Sequence, residues 1–113
     1  MLMKFSAGHG ILGRIRFRDG EIPTYDRTYL IVAVGSDYIE VVNVSSIKGK
    51  ERKLLFRTNE ALKSYRPPFM VPSFVKLDSL TRVPLTECNG LQILYKGQKL
   101  DDTELKRIIK MIR

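Results

Sequence analysis

The segment Thr28–Val34 limits the fold more than any other part of the chain. It is a short apolar run rich in β-branched and aromatic residues. Such residues suit the pleated, buried surface of a strand. Gly35-Ser36-Asp37 follows at once, and Tyr38–Val44 then repeats the same character. Two runs of this kind joined by a glycine-bearing turn read as a β-hairpin. A hairpin that apolar must be covered, so the rest of the chain has to supply strands and helix around it.

Further elements follow from the same periodicities. Leu12–Phe17 alternates apolar and basic residues and reads as a half-buried strand. Arg18–Arg27 holds Asp19-Gly20 and Pro23 and reads as a loop. Lys48-Gly49-Lys50 reads as a turn and Arg52–Arg57 as a strand leaving it. Thr58–Arg66 is ambiguous: Asn59 could cap a short helical turn through Glu60, Ala61, Leu62 and Lys63. Pro67-Pro68 ends whatever precedes it. Val71–Leu77 is expected to be a strand, Ser79–Val83 a short continuation, and Leu91–Tyr95 an edge strand ended by Gly97. Leu105, Ile108, Ile109 and Ile112 recur at helical spacing, which predicts a helix over residues 101–112. Asp101 stands at its cap, with Glu104 placed for a capping box. Many short strands and one terminal helix predict a mainly β (α+β) fold, a small barrel with a C-terminal helix, as one domain over residues 1–113.

Charge narrows the function. The 113 residues carry a formal net charge of +8. Such an excess favours polyanionic partners. Lys48, Lys50, Arg52, Lys53, Arg57, Lys63 and Arg66 fall in one stretch opposed by Glu51 and Glu60 alone. That stretch reads equally as a lysine-protected edge strand and as a groove that tracks RNA. No apolar run has the length of a membrane span, and Lys4, His9, Arg14 and Arg16 interrupt the first segment where a secretory signal would be apolar. The expectation is a cytoplasmic protein without membrane contact. Cys88 is the one cysteine, so no internal disulfide can form.

The sequence holds no HExxH, no paired zinc ligands and no phosphate-binding glycine loop. Metal and cofactor are therefore not expected. The available chemistry is arginine and hydroxyl. Arg27 opens the first apolar strand, and Ser45-Ser46 closes the second. Strands that deliver an arginine and a hydroxyl to their ends, on a basic chain, suit a phosphate. RNA fits that chemistry: its 2′-hydroxyl is an internal nucleophile, so the protein need only align atoms, shield charge and move protons. His9 lies in Ser6-Ala7-Gly8-His9-Gly10; a histidine suits general acid-base work, but on such a flexible arm it reads first as an exposed, idle residue. Tyr25, Tyr65 and Phe69 could stack on bases or fill the core.

Three segments together resemble the MazF/PemK family of toxin endoribonucleases. Arg27-Thr28-Tyr29-Leu30-Ile31-Val32 stands for the family's Arg-Pro-apolar strand, without the proline. Asn43-Val44-Ser45-Ser46 stands for its strand ending in a Thr-Ser-like pair, and Ser73-Phe74-Val75 with Leu77-Asp78 and Thr81-Arg82 for its third landmark. Gly13-Arg14-Ile15 replaces the usual Gly-Asp-Ile-Val opening. The resemblance implies an SH3-like barrel and a metal-independent endoribonuclease that cuts single-stranded mRNA. It also implies a homodimer and an acidic antitoxin partner. Arg27 and Ser45 would be catalytic, with Arg14, Arg16, Ser46, Lys48, Lys50, Arg52 and Lys53 binding RNA. The alternative is a non-catalytic SH3-like module that binds nucleic acid or an acidic peptide with the same basic surface.

Overall fold

A computed structural model describes residues 4–16 and 19–112. The last residue of the expected first strand, Phe17, lies outside the described residues. Seven strands are described: β1 (Gly10–Gly13), β2 (Arg27–Val34), β3 (Tyr38–Ser46), β4 (Asn59–Ala61), β5 (Ser73–Lys76), β6 (Thr81–Pro84) and β7 (Gln92–Ile93). They form one antiparallel sheet in the order β4-β5-β3-β2-β1-β7, with β6 also paired to β3. One helix, α1 (Asp102–Ile112), follows. The expected mainly β, barrel-like fold with a C-terminal helix is the one the chain adopts.

The central hairpin explains its own composition. Leu30 and Val32 of β2, with Val42 and Val44 of β3, pack in a cluster with Leu62, Phe69, Val75, Leu100, Leu105 and Ile108. Their neighbours Tyr29, Ile31, Ile39 and Val41 face the other way, into a second cluster with Ile11, Ile15, Val83, Cys88 and Leu91. Both faces of the sheet are covered, so both phases of the alternation must be apolar. Helix α1 covers one face with Leu105 and Ile108. Full burial of a side chain such as Ile108 contributes about 1.5–3 kcal/mol.

Strand β3 changes partner along its length. Tyr38–Val41 pairs with β6 and Val44–Ser46 with β5. At the switch, the Asn43 N–H donates to Ser79 Oγ at 2.7 Å, and that hydroxyl donates to the Lys76 carbonyl at 2.6 Å. One serine thus satisfies the backbone where the ladder breaks and fixes the end of β5 beside β3. On the β2 side the register shifts between Ile31 and Ala33, a bulge that bends the hairpin.

Several expected elements differ. Arg52–Arg57 is not a strand: Glu51–Leu55 forms an exposed 3₁₀ turn. Local turns take up its backbone instead: the Lys53 N–H donates to the Lys50 carbonyl at 2.9 Å and the Phe56 N–H to the Lys53 carbonyl at 3.2 Å. Asn59 caps no helix. It starts β4 opposite Lys76, and its Nδ2 donates to the Lys53 carbonyl at 2.8 Å. The first strand ends at Gly13 rather than Phe17, although Ile15 remains buried. Asp101 does cap α1, accepting the Glu104 N–H at 3.1 Å. The Glu104 carboxylate, however, turns to the Lys63 N–H at 2.6 Å and to Arg107.

A strap over residues 65–72 crosses β1. A Cβ on Gly10 would sit 2.8 Å from Pro68 Cγ and 3.1 Å from Phe69 Cε1, so only glycine lets the strap lie that close. No helix among the described residues is long and apolar enough to cross a membrane.

Candidate functional site

Antiparallel pairing brings the start of β2 beside the end of β3. Thr28 pairs with Val44, which sets Arg27 and Ser45 one step further on at the same end of the hairpin. Ser45 and Ser46 pair onward with Phe74 and Ser73 of β5. The Ile47 N–H donates to the Pro72 carbonyl at 3.0 Å and carries the chain out into the basic excursion. The result is a cleft of about 1050 Å³ whose lining includes Arg27, Ser45, Ser46, Lys50, Lys53 and Lys76.

Arg27 is half-buried. Its Nη2 donates to Tyr25 Oη at 2.9 Å, and its guanidinium carbon lies 4.9 Å from the centre of the Tyr25 ring. Hydrogen bond and ring contact together fix the plane of the guanidinium fork, which is what bidentate recognition of an anion needs. Lys50 Nζ donates to Ser45 Oγ at 2.8 Å. The direction matters. The lysine takes one lone pair of the serine oxygen, which leaves the serine O–H available as a donor. This pair is therefore built to offer hydrogen bonds to an anion; a serine nucleophile would need the lysine to accept its proton.

Lys76 is the site residue that sequence reasoning missed. It ends β5 behind three buried residues, and burial pushes its ammonium below the usual lysine range. The nearby charges of Arg27, Lys53 and Lys50 push in the same direction, with only Asp78 opposing them. The four cations therefore lie close enough to repel one another. The available signal was a cation closing the otherwise buried segment Ser73-Phe74-Val75.

The remaining expected residues are dispersed. Arg14 is exposed, and its Nε donates to Asp26 Oδ1 at 3.3 Å; Asp26, not Arg14, lines the cleft. Arg16 Nη1 donates to the Gly20 carbonyl at 2.8 Å and lines a separate cavity of about 340 Å³ with Arg82 and Glu87. Lys48 and Arg52 are exposed on the Ile47–Asn59 excursion, away from the cleft lining. Tyr25 and Phe69 line the cleft, whereas Tyr65 packs against the core cluster under α1.

His9 corrects an expectation. It is 7% exposed and sits in a tight turn rather than on a free arm. Its Nδ1 accepts the Ser6 N–H at 3.0 Å, and its backbone carbonyl accepts the Ile31 N–H at 2.9 Å. Burial, then Lys99, holds its imidazole below the ordinary range. His9 is a neutral structural group and does not line the cleft.

Among the described residues, no group of His, Cys, Asp and Glu side chains is arranged to hold a metal ion. Cys88 is buried, and burial raises its thiol pKa, which keeps the thiol protonated and unreactive. No family model matches the chain, and no curated protein matches it.

Proposed function

We propose that the cleft binds the phosphate backbone of single-stranded RNA and cleaves it as a metal-independent endoribonuclease of the MazF/PemK kind. The observation that carries this reading is the meeting of Arg27, Ser45 and Lys50 with Lys53 and Lys76 in one cleft. The 2′-hydroxyl attacks phosphorus and loses its proton to solvent water, the bond to the 5′-oxygen breaks, and a 2′,3′-cyclic phosphate and a 5′-hydroxyl result. Arg27 grips two phosphate oxygens as charge builds on them, and Ser45, oriented by Lys50, donates to a third. Lys76 gives a proton to the departing 5′-oxygen. Its lowered pKa makes it a stronger acid than an ordinary lysine. In this reading the protein acts in the cytoplasm as a homodimeric toxin, and an acidic antitoxin segment covers the same cations.

The test is incubation of purified protein with a long single-stranded RNA in EDTA. Cyclic-phosphate ends that are lost in a folded Arg27→Ala variant support the reading. Salt-sensitive binding without cleavage moves the protein to the non-catalytic nucleic-acid module.

A further inference from the structure

The cleft has a second end that phosphate does not explain. Besides the cation cluster its lining takes in Phe69, Met70 and Val71 of the strap, and Tyr95, Lys96 and Gln98 just before α1. Phe69 is buried, but Met70 and Val71 are 60% and 50% exposed and form an apolar lip on the cleft. Tyr95 and Lys96 both have left-handed backbones, with φ of 53° and 54°, and Gly97 continues at 82°. Two successive non-glycine residues in that region are strained, and such strain persists where surrounding contacts hold it. Here backbone hydrogen bonds close the turn, from the Gly97 N–H to the Leu94 carbonyl and from the Gln98 N–H to the Tyr95 carbonyl, both at 3.0 Å. Arg66 Nε donates to Tyr95 Oη at 3.3 Å, and its guanidinium lies 5.9 Å from the ring centre. Gln98 is exposed and carries both a donor and an acceptor in its amide.

Resting on the RNA reading above, we propose that this apolar end is a nucleobase pocket, in which the base next to the gripped phosphate stacks on Tyr95 and is read at its edge by Gln98. Three observations support a base over other occupants. The pocket is continuous with a cluster of cations that calls for an anion, so its occupant must carry an apolar, planar group beside a negative charge. The whole cleft, about 1050 Å³, is far larger than one phosphate requires. An exposed apolar lip, a fixed aromatic ring and a lone amide are the parts that single-strand recognition uses. The strap then sets which base enters, and the cations set where the backbone lies.

The experiment is a binding titration of the full chain with a short single-stranded RNA, repeated with an abasic site at each position in turn. One abasic position is expected to weaken wild-type binding by about 5- to 100-fold. That loss should vanish in Tyr95→Asn, which removes the ring but tolerates the left-handed backbone. Tyr95→Phe keeps the ring and should bind like wild type. Gln98→Ala should leave the loss at that position but weaken the preference for one base there by about tenfold. Salt-dependent binding that is indifferent to every abasic position overturns the pocket and leaves the phosphate site standing. Absence of salt-dependent binding to any RNA overturns both. An acidic peptide whose binding Tyr95→Asn abolishes while RNA binding persists assigns the pocket to a protein partner and overturns the base.

Discussion

Two parts of this molecule use the same cationic side chains in opposite ways. Where α1 meets β4, Arg107 is enclosed by acids. Its Nη1 lies 2.6 Å from Glu60 Oε2, its Nε 2.7 Å from Glu104 Oε1, and its Nη2 donates to the Ala61 carbonyl at 3.1 Å. In the cleft, Arg27, Lys50, Lys53 and Lys76 are set against one another. The seam neutralises its charge and holds the helix to the sheet. The cleft gathers more positive than negative charge, with Asp26 and Asp78 only partly offsetting it, and such an excess costs stability. A cation at the seam is therefore part of the fold, and on the RNA reading a cation in the cleft is part of a site.

The sharpest way to break the comparison is at the seam. Arg107→Ala leaves Glu104, 5% exposed, without its main partner. It should destabilise the protein by about 3–5 kcal/mol in urea unfolding. The same contact appears in pH dependence. The Arg107 guanidinium holds the Glu104 carboxyl down to about 2. Because the folded value lies below the unfolded one, the unfolded chain binds more protons in between. The contribution, about 3 kcal/mol, is present above the ordinary carboxylate range and disappears as pH falls toward the folded value. Unfolding curves for Arg107→Ala that match wild type would mean that the seam does not hold the helix.

On the ribonuclease reading, the largest effect at the cleft falls on rate rather than stability. In Arg27→Lys the planar fork is lost and the charge kept. Single-turnover cleavage should fall by about 100-fold, with a far smaller change in RNA affinity and none in melting temperature. Equal loss of binding and rate would make Arg27 a simple phosphate contact.

The sequence disclosed the two regions unequally, for physical reasons. The seam helix announced itself through the Leu105, Ile108, Ile109 and Ile112 spacing and the Asp101 cap, because helical periodicity is local. Arg27 and Ser45 were visible because they bracket the hairpin, and hairpin register follows from a short turn. Lys76 was not, since its place depends on β5 joining β3, a pairing between distant segments. Glu60 was obscured for the same reason: β4 exists only because β5 is there to pair with it, and Asn59 alone suggested a helix cap. Arg14 and Arg16 looked like site residues because charge shows in sequence, but an exposed partner such as Asp26 does not show until the loop is folded.

A smaller effect separates the regions thermodynamically. Lys76→Gln removes a half-buried cation that its neighbours repel, so the free protein should become no less stable. The pH signature runs opposite to that of Glu104 in its cause. Burial, then neighbouring cations, lowers the folded Lys76 value, so the charged form is penalised at neutral pH. Stability should rise as pH increases through the folded value toward the ordinary lysine range, and the rise should be absent in Lys76→Gln. RNA affinity should fall in the same variant. A destabilised Lys76→Gln would place this lysine with the structural cations.

The smallest difference is also the most selective, because it compares two lysines rather than two mechanisms. Lys53 lines the cleft, whereas Lys106 sits on the exposed face of α1 with its Nζ 3.1 Å from Asp102 Oδ2. Each phosphate that a protein neutralises releases condensed counterions, and for a single strand it adds about −0.7 to the slope of log affinity against log salt. Lys53→Ala should therefore make that slope shallower by about 0.7, one phosphate's worth. Lys106→Ala should leave it unchanged, although net charge falls equally in both. Net charge acts at long range and is screened within about 10 Å at 0.1 M salt, so a difference between the two slopes has to come from contact. Equal slopes would mean that RNA senses only the overall charge of the molecule, and the cleft would lose its standing as the place where the backbone lies.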